Sequence, residues 1–186
     1  MSFTPALAQR LFPSRTIVRE ICVQIAGVLL IGALAQVGVG VGPVPVTGQT
    51  LGVFLVGAFL GFRRAALCLV LYVMAGAFGL PVFSGFASGP AALTGYSGGY
   101  LVGFVLAAGT VGLCAEHHLL DTLPKALLVM AVASLPIYVI GLAWLMHFVP
   151  PAEALRSGFL VFLPGAAVKI ALAAVIAHGP GRLWQG

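Results

Sequence analysis

Apolar residues run through this sequence in six long segments, about 17–41, 47–62, 65–80, 98–115, 126–147 and 158–178. A helix needs roughly 20 apolar residues to cross a bilayer, at ~1.5 Å per residue. The second and third segments are shorter, and are expected to tilt as a hairpin or lean on the loops beside them. Only 7% of the residues are charged, against roughly 25% in soluble domains. A surface so poor in charge would not stay in water. The expectation is therefore an all-α membrane protein, a single integral membrane domain over residues 1–186 built as a bundle of six transmembrane helices. The opening stretch MSFTPALAQRLFPSRT has no long apolar core ahead of its arginines. It does not read as a secretory signal, and residues 1–16 are expected to be a short cytoplasmic segment.

Six spans place both termini on one side, and basic residues say which. Arg10, Arg15 and Arg19 precede the first segment, Arg63 and Arg64 turn between the second and third, Lys125 closes the loop before the fifth, and Arg182 follows the sixth. The opposite face has Arg156, while Lys169 lies inside the sixth segment. Cytoplasmic termini follow. The net charge of +5 is thus a topology signal. With no basic stripe interleaved with aromatics, nucleic acid is excluded as a partner and membrane lipid is expected.

Little in the sequence suits catalysis. It holds no phosphate-binding glycine loop or paired carboxylates. Its four acidic residues sit in loops or at segment ends, so neither an enzyme nor a cofactor is expected. Cys22, Cys68 and Cys114 are too widely spaced for a disulfide framework or zinc site and read as small buried hydrophobes. Glu116, His117, His118 and Asp121 read as a solvated cytoplasmic loop, and no metal is expected.

The outer loops carry the binding signals. Gly42–Thr50 and Pro81–Ser97 are uncharged, rich in Gly and Pro, and still hydrophobic. Such Gly/Pro-rich apolar outer loops can fold back over a bundle and cover a ligand pocket. Lys169 follows Phe162-Leu163-Pro164-Gly165 in an otherwise apolar span. A buried ammonium costs at least a few kcal/mol there, so it marks a functional site. It lies nine residues from His178, or ~13 Å along a helix, which is long for snorkelling. Thr47, Gln49 and Thr50 stand at the mouth of the second segment. An amide at that depth needs partners on both its O and its NH₂. Thr94, Ser97, Tyr100 and Tyr138 lie near the outer ends of segments four and five. Gly57 with Gly61 and Gly99 with Gly103 read as helix-packing notches. Ala33 and Val37 form a low ridge suited to docking on a partner membrane protein.

Together these residues resemble the BioY family, the biotin-specific substrate-binding subunits of energy-coupling factor transporters. The resemblance runs through Pro43-Val44-Pro45-Val46-Thr47-Gly48-Gln49-Thr50, Leu60-Gly61-Phe62-Arg63-Arg64, Leu71-Tyr72, Ala75–Phe83, Ser97-Gly98-Gly99-Tyr100 and Phe162-Leu163-Pro164-Gly165 with Lys169. It implies biotin bound beneath the first and third loops, with Ser84 joining Thr47, Gln49, Thr94, Ser97, Tyr100, Tyr138 and Lys169 in the pocket. It also implies two kinds of partner, a transmembrane coupling protein and a pair of ABC-type ATPases that hydrolyse ATP on the chain's behalf. One departure stands out. The family often has an acidic residue directly after Pro-Gly, and this chain has Ala166.

Overall fold

The computed structural model describes residues 17–183, so Arg10, Arg15, the expected 1–16 segment and the side chain of Arg182 lie outside the described residues. Helix α1 spans Ile17–Gln36. It ends five residues before the expected boundary at Val41, because Gly38, Gly40, Gly42, Pro43 and Pro45 follow and such residues do not sustain a helix. The chain forms a small antiparallel ribbon instead, β1 (Gly38–Val39) paired with β2 (Val46–Thr47), Gly38 opposite Thr47. A Cβ on Gly38 would stand 2.7 Å from the carbonyl oxygen of Val46, so the pairing depends on glycine. The expectation of helices alone missed this ribbon.

Helices α2 (Gln49–Leu60) and α3 (Phe62–Ala77) meet at Gly61, whose φ of 77° suits glycine. Glu116 reaches across the bundle and accepts the Phe62 backbone N–H at 2.9 Å, satisfying one donor at the start of α3. There follow a tight turn at Ser84–Phe86, a short helix α4 (Pro90–Thr94), α5 (Gly98–Glu116) and α6 (Leu123–Leu145). The short helix α7 (Pro151–Gly158) and a turn at Leu160–Phe162 lead into α8 (Leu163–Leu183). The sixth segment was expected from residue 158. Its long helix begins five residues later, because the chain first bends through Phe159 and the 160–162 turn.

Among the described residues, four helical stretches are long and apolar enough to cross a membrane: Ile17–Gln36, Gly98–Glu116, Leu123–Leu145 and Pro151–His178. Helix α2 is apolar but has 12 residues, and α3 has 16. The chain is thus an all-helical, multi-pass membrane protein apart from its ribbon. Leu128, Val132, Leu135 and Val139 on α6, and Ile21, Ile25 and Leu29 on α1, are about half exposed or more. Such faces are at home against lipid.

Helix α5 is the hub, packed on α2, α3 and α6. Glycines bring the axes together. A Cβ on Gly57 would stand 2.8 Å from the Ala108 carbonyl, one on Gly103 2.6 Å from the Ile137 Cα, and one on Gly112 2.6 Å from the Phe62 nitrogen. This is the close packing that small residues permit in membranes.

Candidate ligand-binding cavity

One end of the bundle is not tightly packed. A cavity of about 260 Å³ lies beneath the ribbon loop around Pro43–Pro45 and the segment between Phe83 and Ser97. Its apolar side is built by Tyr100, Leu101 and Phe104 of α5, Ile137 and Tyr138 of α6, and Phe162. Its polar side is built by Thr47, Gln49, Thr50, Ser84, Ser97 and Lys169. A mostly apolar hollow with a few placed polar groups is how proteins hold small organic ligands.

The aromatic side is rigid. Tyr100 stacks on Phe162 at 6.0 Å between ring centroids, and Tyr138 meets Phe159 edge-on at 5.2 Å. The Tyr100 hydroxyl donates to the Gly158 carbonyl at 2.9 Å, tying α5 to α7. Gly141 is the notch that admits the Tyr100 ring, since a Cβ there would stand 2.5 Å from it.

The polar side is a continuous chain of hydrogen bonds. Lys169, in the second turn of α8, donates from Nζ to the Thr47 carbonyl at 2.8 Å. The Thr47 hydroxyl donates to Gln49 Oε1 at 2.8 Å. Gln49 Nε2 donates to the Tyr72 oxygen at 2.6 Å, and the Tyr72 hydroxyl donates to the Val82 carbonyl at 2.9 Å. Thr47, Gln49, Tyr72 and Lys169 are all buried. The ribbon, α2, α3 and the 78–89 loop are thereby held in register around the cavity.

Lys169 is 9% exposed. An ammonium has three donors, and one is used on Thr47. Among the described residues no carboxylate pairs with it. Glu20 pairs with Arg64, Asp121 lies 3.5 Å from His118, Glu116 caps α3, and Glu153 stands in the first turn of α7. Ala166, one turn before Lys169, is buried and supplies no charge.

Of the residues expected at the site, the fold brings Thr47, Gln49, Ser84, Ser97, Tyr100, Tyr138 and Lys169 to this one cavity. Thr94 is not among the residues that line it. Its hydroxyl turns back to the Pro90 carbonyl at 3.2 Å within α4. Ala33 on α1 and Val37 just past its end are exposed, and neither lines the cavity. Sequence reasoning passed over Tyr72, Phe104 and Phe162 as site residues, since an aromatic in an apolar span reads as core or lipid-facing. It also passed over Gln36 and Trp144, which hold the cavity's roof. Gln36 had a legible signal, the same buried-amide argument that singled out Gln49.

The fold and the cavity together define a multi-pass membrane bundle with a roofed, small-molecule-sized hollow at one end. Residues 6–185 match the BioY family, and the chain belongs to that family. The probable biotin transporter BioY of Pyrococcus horikoshii is 37% identical over 160 residues, covering 86% of this chain and 94% of that protein. The biotin transporter BioY of Thermotoga maritima is 39% identical over 145 residues, covering 77% and 84%. A crystal structure of the S-component for biotin from an ECF-type ABC transporter superposes with a TM-score of 0.79 at 24% identity, covering 93% of this chain and 96% of that one. At that identity the likeness speaks for the fold.

Proposed function

We propose that this chain takes up biotin, as the substrate-binding membrane subunit of an energy-coupling-factor importer. The observation that carries the reading is the unbalanced charge in the cavity wall: Lys169 is buried, bonded to one carbonyl, and met by no carboxylate among the described residues. A ligand with a compact apolar body, a polar edge and a carboxylate complements that wall. Biotin has all three. The biotin transporters among the relatives support the choice of vitamin. Charge balance selects the carboxylate as the acceptor for Lys169.

In this reading α2 and α3 complete the crossing with the four longer stretches, giving six spans. Arg63, Arg64 and Lys125 lie at the cytoplasmic end, and the cavity opens outward. The exposed ridge of Ala33 and Val37 docks on a transmembrane coupling protein. A pair of ABC ATPases supplies the energy, so this chain itself turns over no ATP.

The test is a titration of the purified chain with biotin, biotin methyl ester, thiamine and riboflavin. Stoichiometric binding of biotin, with the ester at least tenfold weaker, is expected. Equal binding of the ester would move Lys169 from the carboxylate to the ureido edge. Binding of thiamine or riboflavin in place of biotin would overturn the choice of vitamin. Uptake by cells that make this chain but no coupling module would overturn the assigned partners.

A further inference from the structure

Part of the cavity's roof is held by a residue that does not line the cavity. Gln36 is the last residue of α1 and is half-buried. Its Nε2 donates to the Gly32 carbonyl in its own helix and to the Phe83 carbonyl in the roof, each at 3.0 Å. Its Oε1 accepts the Phe86 backbone N–H at 3.0 Å. Both donor and acceptor of one amide are thus committed to gripping a single turn.

That turn is not relaxed. Gly85 and Phe86 both have left-handed backbones, with φ of 65° and 58°. Glycine takes this conformation freely, and a phenylalanine does not. The Phe86 ring is 66% exposed, so ring packing does little to hold the backbone there. Apart from Gln36, the turn is closed by two backbone bonds, Phe83 N–H to Ala87 O at 3.2 Å and Ala87 N–H to Ser84 O at 3.3 Å. A strained conformation persists when its surroundings over-determine it, and here the Gln36 amide supplies that surrounding.

The flanks of the roof are anchored differently. On one side the Phe83 ring is 4% exposed and meets Tyr72 edge-on at 5.5 Å. On the other, Trp144 Nε1 donates to the Gly95 carbonyl at 2.9 Å. Between these anchors Ser84 and Ala87 line the cavity. We infer that Gln36 is a positioning residue, a latch that holds the Ser84–Ala87 turn closed over the ligand, with left-handed Phe86 biased to spring the turn open when the latch lets go. The inference deepens the ligand reading above and rests on it.

The experiment measures association and dissociation rates of biotin by stopped flow on the intact purified chain, wild type and Gln36→Leu. Both rates are expected to rise about tenfold, the factor for losing two neutral hydrogen bonds, with Kd changing less than either rate. A residue that merely supported the fold would lower the unfolding temperature and leave the two rates in their original ratio and size. Unchanged rates, or a rise in dissociation alone, would overturn the latch. Phe86→Asn carries the test if Gln36→Leu does not fold. Asparagine tolerates the left-handed conformation, so release should slow; release at the wild-type rate or faster would overturn the bias assigned to Phe86. A ligand-free arm separates the two readings. Leu101 is 5% exposed and lines the cavity, so Leu101→Cys should react with a thiol reagent faster once Gln36→Leu is added, followed at that residue by mass spectrometry. Faster labelling in a chain that binds no biotin would sink the vitamin and keep the latch. Unchanged labelling in a chain that binds biotin would do the reverse.

Discussion

The two halves of helix α5 do opposite work. Toward the cavity it carries Tyr100, Leu101 and Phe104, which face the hollow. Further along it carries Ala108, Val111 and Gly112, which are buried against α2 and the start of α3. Large rings braced against one another hold space open at one end. Small side chains eliminate space at the other, letting backbones touch. The polar groups follow the same division. The Thr47 and Tyr72 hydroxyls, the Gln49 amide and the Lys169 ammonium gather in the open half, linked along the chain from Lys169 to Val82. A hollow of this kind forgoes the packing contacts that a filled interior would make, so it persists only where rigid rings and hydrogen-bonded polar groups frame it. The lesson is that the close-packed half should set stability and the open half should set affinity, with little exchange between them.

The sharpest way to break that division is at the packed end. A Cβ on Gly112 would lie 2.5 Å from the Gly61 carbonyl carbon and 2.6 Å from the Phe62 nitrogen, both backbone atoms. Gly112→Val therefore forces α5 away from the α2–α3 turn. The expected loss is about 3 kcal/mol or more, read as a fall in the thermal unfolding midpoint in detergent. A midpoint near wild type would show that the seam yields, and the division would fail.

The next largest effect lies at Lys169. Lys169→Met removes a charge-assisted bond worth about 1.5–3 kcal/mol, so biotin should bind roughly ten- to hundredfold more weakly. The ligand-free chain should unfold at or above the wild-type midpoint, because a buried ammonium without a counter-charge is costly. Affinity lost at constant stability would sharpen the comparison. A midpoint several degrees lower would make the lysine a structural residue.

The sequence carried these two halves unequally. Long apolar runs made the major helices legible, and Lys169 stood out because a charge in hydrocarbon needs a reason. The glycine notches Gly57 and Gly103 were visible as spacing, though which helix faced which was not. Helix α1 was drawn five residues too long, because Val37, Val39 and Val41 continue its hydropathy while the glycines between them end its backbone. The roof was the hardest part. Ser84–Phe86 and α4 are apolar but irregular, and their positions depend on bonds from Gln36 and Trp144, 47 and 49 residues away in the chain. No local pattern records a contact of that kind. Tyr72 was hidden for a different reason. It is fully buried in an apolar helix, where a tyrosine reads as core until its hydroxyl is seen to bridge two elements.

Tyr72 lies on the boundary between the halves and tests it at smaller scale. Its hydroxyl accepts from Gln49 and donates to Val82. Tyr72→Phe leaves a buried amide donor and a carbonyl without their partner. The expected cost is about 1–2 kcal/mol of stability, with biotin affinity reduced several-fold as Gln49 loses its orientation. Paired measurements of midpoint and Kd should therefore both move, as they should not for Lys169→Met.

The smallest expected effect marks where the open half ends. Thr94 belongs by sequence to the same loop as Ser84 and Ser97, yet its hydroxyl is spent on the Pro90 carbonyl within α4 and it does not line the cavity. Thr94→Ala removes one exposed bond inside one short helix. Stability should change by no more than about 0.5 kcal/mol, and biotin Kd should stay within about twofold. Ser84 and Ser97 do line the cavity, so the same truncation there should weaken binding more. If Thr94→Ala instead weakened biotin tenfold with stability intact, α4 would have to move inward over the ligand from the position it holds in this structure. The edge of the binding half would then be set by the ligand and not by the bundle.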